Sequence, residues 1–233
     1  MESSAPRMVA PRSEGADSPW SALSPLAQEG ACHRDVADGS EDPAATEGYD
    51  LLRTQMQQAC AAREWTRIAV AQAGADGHAA AATALNLALS QARLPHRGVV
   101  LVDLDLERQP VSRLLSASLP SGAVAISAAA ISARLALLRV TGTRALGAAE
   151  TILSPAFRSA LDRQIGQMQP DLVLFNVPPL LAGDAGLAAL ELAHAVVLAI
   201  HGRADTAADV RLAETRIAGR CPLLGLFLFD AEG

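Results

Sequence analysis

TRIAVAQAGADGHAAAATALNLALSQARLPHRGVVLVDLDLER, residues Thr66–Arg108, decides the fold. An apolar run from Ile68 to Ala73 leads into a turn that carries Gly74 and Gly77. An alanine-rich segment of high helical propensity follows to about Arg93. A second apolar run, Val99 to Val102, then ends in two acids, Asp103 and Asp105. Strand, loop, helix and strand in that order make one βαβ unit. The loop's backbone N–H groups and the helix N-terminus of such a unit form an anion site, here built around Gly74, Gly77 and His78. A nucleotide-hydrolysing version also needs Lys on the phosphates and Ser or Thr on the magnesium ion. This loop offers His78 and then Ala79, Ala80, Ala81 and Ala82. No lysine can be displaced from elsewhere, because all 19 basic residues are arginine. A codon preference for Arg and Ala explains that bias on the surface but not in the loop.

At 233 residues the chain holds one ordinary domain and some extra length. Half of the residues are hydrophobic but only 3% are aromatic, so the core has to be built from Ala, Leu and Val. A net charge of −6 argues against a nucleic-acid partner, which needs a basic stripe. Cys32, Cys60 and Cys221 are far apart and fit reduced thiols of a cytosolic protein. The best apolar run, Leu187 to Ile200, is interrupted by Glu191 and His194, too early for a bilayer span. The first residues carry Glu2 and early prolines, unlike a secretory leader.

Residues 1–45 scatter Pro among Ser, Gly, Ala, Asp and Glu, the composition of a disordered tail. Trp20, Leu23 and Leu26 are its one apolar cluster, either a chance group or a short docking motif. Cys32 and His33 are adjacent, but two ligands make no metal site. From Thr46, a plausible N-cap, TEGYDLLRTQMQQACAAR has helical periodicity at Tyr49, Leu52, Met56 and Ala59. Further on, Ser116 to Ala133 is expected to hold a loop and a short helix, and Leu135 to Gly142 a strand. Thr143 to Thr151 reads as a loop. Ser154 and Pro155 open a helix to about Met168, with Leu161 and Ile165 on its buried face. Asp171 to Leu181 carries a strand that ends near Asn176, and Ala195 to Gly202 reads as a buried strand, with Asp184 capping a helix between them. A helix from Asp205 to about Gly219 and a strand from Leu223 to Asp230 complete the domain. His78, His96, His194 and His201 lack partners at ligand or triad spacing. Ser127 and Ser132 lack a base.

Three stretches share one pattern. Thr83–Ala88 (TALNLA) matches the helix of the motif S-x-x-x-x-G-E-G-K-[ST]-T-x-A-x-N-L-A. DLDLERQP, from Asp103, resembles D-x-D-x-R-x-P with Glu107 in place of Arg and Pro110 one place late. DLVLFNVPPLL, from Asp171, matches D-x-V-I-I-D-x-P-P with Asn176 in place of the last acid and Pro178 and Pro179 intact. Before them, Glu47, Tyr49, Leu52, Arg53 and Thr54 match E-A-Y-R-x-L-R-T, with Asp50 in place of the first Arg. The set, over about Thr46 to Asp230, resembles the bacterial tyrosine kinases of the capsule and exopolysaccharide type, relatives of the partition and septum-site ATPases. The resemblance implies an α/β protein with a three-layer P-loop NTPase-like fold over residues 46–233. Its sheet is mostly parallel and doubly wound, with helices on both faces.

By the same resemblance the lysine position is Ala80 and the Ser/Thr position Ala81, or Ala79 and Ala80 if counted forward from Gly74. Asp103, Asp105 and Asn176 are then remnants of a magnesium site, with simple solvated strand-end acids as the alternative for Asp103 and Asp105. Phe229 stands where the family's Asn reads adenine. Glu47, Tyr49 and Arg53 are expected at a subunit interface, although a helix that merely covers the sheet explains them equally. Tyr49 is the single tyrosine, so the family's tail autophosphorylation is not expected. The resulting expectation is a pseudoenzyme without catalytic residues, metal or cofactor, with ATP and magnesium bound only if the nucleotide site survives. It would be a cytoplasmic scaffold or regulator of exopolysaccharide synthesis and export, held at the inner membrane through its partner. That partner would be the cytoplasmic end of a membrane polysaccharide co-polymerase, with self-association into a homo-oligomer as a second contact. The alternatives are an active ATPase or tyrosine kinase that uses Asp103, Asp105 and an Arg, or a partition-type ATPase. The last lacks its lysine-bearing loop and basic surface here.

Overall fold

The computed structural model describes residues 19–27, 43–74, 76–117, 125–141 and 147–230. Its strands are β1 (Arg67–Gln72), β2 (Val99–Asp103), β3 (Ala125–Ser132), β4 (Leu135–Thr141), β5 (Leu172–Asn176), β6 (Ala195–His201) and β7 (Leu223–Phe229). Between them lie α1 (Pro43–Ala61), α2 (His78–Ala92), α3 (Pro110–Leu114), α4 (Ala148–Leu153), α5 (Pro155–Met168), α6 (Ala185–Leu190) and α7 (Ala207–Ile217). The strands form one 7-stranded sheet in the order β3-β4-β2-β5-β1-β6-β7. All neighbours run parallel except β3, which is antiparallel to β4.

Successive strand residues feed opposite faces, as period-two geometry requires. Ile68, Val70, Leu101 and Leu174 pack beneath α1, α2 and α3. Ala69, Val100, Val102 and Phe175 pack against α4, α5, α6 and α7 on the other side. The result is the expected three-layer, doubly wound arrangement, whose central strands are apolar throughout because both faces are covered. Scarce aromatics are handled by small side chains. Ala79–Ala82, Ala84 and Ala88 are fully buried, so α2 lies close on the sheet, and Leu85 and Leu87 fill what remains.

Several expectations change. Ala125–Ser132, read as loop and short helix, is strand β3. Its alanines favour helix, but pairing with β4 overrides that weak preference. Part of the expected loop Thr143–Thr151 is helix α4, where the Gly147 amide donates to the Glu150 carboxylate at 3.3 Å. Residues 143–146 lie outside the described residues. Helix α1 begins at Pro43, so Thr46 is inside it and is not its cap. Helix α7 is capped by Thr206, which exchanges hydrogen bonds with Asp209, and Asp205 has another task. Asp184 stands at the start of α6 but makes no capping bond. Ser154 does cap α5, accepting from the Phe157 amide at 3.2 Å, and Leu161 and Ile165 are buried as expected.

The stretch 19–27, expected in a disordered tail, lies against the sheet. The Leu26 amide donates to the Ala130 carbonyl and the Ala130 amide to the Ser24 carbonyl, both at 2.9 Å. Trp20 covers Gly98, where a β-carbon would sit 2.7 Å from the indole. The cluster Trp20, Leu23 and Leu26 is thus an internal strap along β3. The rest of residues 1–42 lies outside the described residues, Cys32 and His33 included. Among the described residues, no helix is long and apolar enough to cross a membrane.

Candidate functional site

The carboxyl ends of the strands, where open α/β sheets place ligands, bring the predicted residues together. Strand β1 ends at Gln72, fully buried, and the chain turns through Gly74 and Gly77 into α2. Gly77 has φ 70, and a β-carbon there would stand 3.3 Å from the Pro179 ring. Both facts call for glycine. The loop's donors point inward, but side chains of this chain already occupy them. The Gln72 Oε1 accepts from the Ala79 amide at 2.9 Å and the Ala80 amide at 3.4 Å. The Asp76 Oδ1 accepts from the His78 amide at 3.1 Å and from the Gln72 Nε2 at 3.0 Å. Asp205 arrives from the β6–α7 connection, where its Oδ1 accepts from the Gly74 amide at 2.8 Å. Its other oxygen accepts from the His201 amide at 2.7 Å. Ala80 and Ala81, the positions matched to Lys and Ser/Thr, are fully buried in the core beneath α2.

Asp103 and Asn176 face each other in register at the ends of β2 and β5. The Asn176 Nδ2 donates to the Asp103 Oδ1 at 2.8 Å. The Val111 amide donates to the other oxygen at 3.0 Å, and the Asp105 amide to Oδ1 at 3.3 Å. Burial pushes the Asp103 carboxyl up to about 7; the Asn176 hydrogen bond opposes the rise and the charge on Asp105 adds to it. Burial also raises Asp105, against the Arg108 amide and guanidinium, which lies 3.5 Å away. A carboxylate at position 176 would stand at contact distance from Asp103, and two such charges need a cation or a shared proton between them. An amide needs none. Among the described residues, no group of three or more His, Cys, Asp or Glu side chains is placed to hold a metal ion. The Gly74, His78, Ala79 and Ala80 amides are thus bonded to side chains of this chain, Asp103 is bonded by protein donors, and the sequence has no lysine.

Beside the acids opens a cavity of about 400 Å³ lined by Asp105, Glu107, Arg108, Glu150, Pro178 and Asp184 among others. On the far side of the loop, the His78, His201 and Phe229 rings pack together, with centroids 5.6, 5.7 and 6.4 Å apart. The histidines are thus not all without partners. His194 also accepts through Nδ1 from the Thr66 amide at 3.1 Å. Ser132 accepts from the Arg134 amide, while the buried Ser127 hydroxyl finds no hydrogen-bond partner among the described residues.

The α1 residues expected at an interface divide. Glu47 is exposed, but Tyr49 is buried against Phe227 with ring centroids 5.1 Å apart. Arg53 turns inward, donating to the Ser90 carbonyl and to Asp50, each at 3.1 Å. Asp50 also accepts from Ser90 and Arg93, so it pins α1 to α2.

Gln72, Asp76 and Asp205 were not singled out as site residues from the sequence. Asp205 lies far from the loop in sequence, and no spacing rule links them. A polar Gln ending an otherwise apolar strand was the one available signal.

No family model and no curated protein matches the sequence. Solved structures do match. The VpsO kinase domain aligns with TM-score 0.64 and 18% identity over 84% of this chain and 100% of that one. The BceF tyrosine kinase domain aligns with TM-score 0.60 and 22% identity over 82% and 80%. The kinase domain of the Escherichia coli tyrosine kinase ETK aligns with TM-score 0.65 and 17% identity over 89% and 83%. The chain thus has the fold of bacterial tyrosine kinase domains.

Proposed function

We propose that this chain is a catalytically silent relative of the bacterial tyrosine kinases. Its role is that of a cytosolic scaffold or regulator in exopolysaccharide synthesis and export, docked on the cytoplasmic end of a membrane polysaccharide co-polymerase. One observation carries the reading. In a kinase-domain fold, the positions for Lys and Ser/Thr are buried Ala80 and Ala81, and the position for the metal-holding acid is Asn176 bonded to Asp103. Phosphoryl transfer depends on positioned charge, and a single such group is worth roughly 10³-fold or more in rate. Losing cation, metal ligand and carboxylate together leaves no useful turnover.

A scaffold needs a rigid surface, and the fold supplies one. Helix α1 is fixed to α2 through Asp50, Arg53, Ser90 and Arg93, and Tyr49 is anchored on β7. The competing reading is an atypical ATPase that uses Asp103, Asp105 and Arg108, which pairs with Asp105 in the lining of the cavity. Phosphate release from Mg-ATP by the full chain, alone and with a co-polymerase's cytoplasmic segment, separates the two. The scaffold reading expects co-elution with that segment and release at the buffer rate. Release above the buffer rate that disappears in Arg108→Ala establishes the ATPase instead.

A further inference from the structure

A phosphate-binding loop works by aiming backbone donors at one point, and losing the lysine does not by itself empty that point of attraction. The N–H groups and the helix dipole remain, so an unarmed loop should still bind anions weakly. In this chain the donors do not wait for an anion. Gly74, His78, Ala79 and Ala80 each give their amide to a side-chain oxygen. The three acceptors also bind one another: the Gln72 Nε2 donates to Asp76 at 3.0 Å and reaches Asp205 at 3.5 Å. Gln72 is fully buried, and its amide oxygen sits over the first turn of α2, the place a phosphate oxygen takes in a working loop.

We propose that the loop is self-liganded: Gln72, Asp76 and Asp205 stand in for a phosphate, closing the site and fixing its ligand-bound shape without nucleotide. Asp205 makes the device more than a plug. It belongs to the β6–α7 connection and holds both the Gly74 and the His201 amides, so it ties that connection to the loop. The fit is close, since a β-carbon on Gly74 would fall 2.2 Å from its Oδ1. The His78 and His201 rings, each edge-on to Phe229, close the same side. The two carboxylates also repel any phosphate that approaches, and no lysine exists to offset them. Surfaces shaped by this loop are then independent of ATP. The inference rests on the reading that the loop serves no nucleotide, and it does not depend on which partner the chain binds.

Amide hydrogen exchange on the full chain tests it, with inorganic pyrophosphate as the probe anion. The Gly74, Ala79 and Ala80 amides should be protected in the free protein, and millimolar pyrophosphate should change nothing. Gln72→Ala should speed exchange at Ala79 and Ala80, and Asp205→Ala at Gly74, by about tenfold or more, since each loses a charged or buried hydrogen bond. Gly74→Ala, which displaces Asp205 while leaving its carboxylate in the chain, should free the His201 amide likewise. Central strand amides such as Leu101 should stay protected throughout, which shows that each variant is folded. Fast exchange at Gly74, Ala79 and Ala80 in the parent, unchanged exchange in the folded variants, or new protection with pyrophosphate overturns the proposal. The first two results would leave the absence of catalysis intact. Protection by pyrophosphate would count against both readings.

Discussion

Asn176 shows how one amide changes the chemistry of a strand end. It stands in register with Asp103 and donates to it, where an acid would set a second carboxylate against the first. Asp103 still carries a measurable sign of its burial, because its carboxyl rises from 3.8 to about 7. Between those values the folded chain keeps a proton that the unfolded chain has released. Stability from this group is therefore full below the lower value and is lost as pH climbs toward the higher one. Urea unfolding at pH 5 and pH 8 should show the parent weakened at pH 8 by on the order of a few kcal/mol at most. Asp103→Asn should lose that dependence, and an equal drop in both proteins would contradict the assignment. Asn176→Asp should act in the opposite sense, placing a second acid at contact distance. We expect it to destabilise by about 2–3 kcal/mol at pH 8 and by less at pH 5, where one of the pair holds a proton.

Helix α1 and the strap at 19–27 are where sequence and structure part. The helix itself was legible in its apolar spacing, as was α5 from Ser154 and Pro155. Its inward face was not, because periodicity says which residues share a side and not whether a subunit or the chain's own β7 lies beneath. Tyr49→Ala should cost about 3 kcal/mol as a core truncation, whereas Glu47→Ala should cost under about 0.5 kcal/mol. Chemical denaturation of the isolated chain decides this, and a near-neutral Tyr49→Ala would return that residue to an interface role. Strand β3 was missed because AISAAAIS is rich in a helix-favouring residue and becomes a strand only by pairing with β4. The strap was missed because its cohesion comes from Trp20 on Gly98, far away in sequence. In a Trp65→Phe background, Gly98→Ala should push the indole off and shift Trp20 emission to the red. An unchanged spectrum would mean that the strap does not pack there.

At the scale of the molecule, a two-sided core of small aliphatic residues carries a sheet with the kinase-domain fold, and side chains of the chain itself bond the loop at its carboxyl edge. The βαβ unit around Thr66–Arg108 was readable because its spacing, glycines and strand-end acids are local. The closure of the loop by Gln72, Asp76 and Asp205 was not, because it is a meeting of side chains from β1, the loop and the β6–α7 connection. The central claim is that this edge no longer serves a nucleotide, and a thermal melt of the full chain with and without Mg-ATP tests it most directly. A ligand present at 100 times its dissociation constant stabilises the folded state by ~2.7 kcal/mol, a plain upward shift in Tm. The account predicts superimposable curves up to millimolar Mg-ATP, and a saturable upward shift in the micromolar range would contradict it.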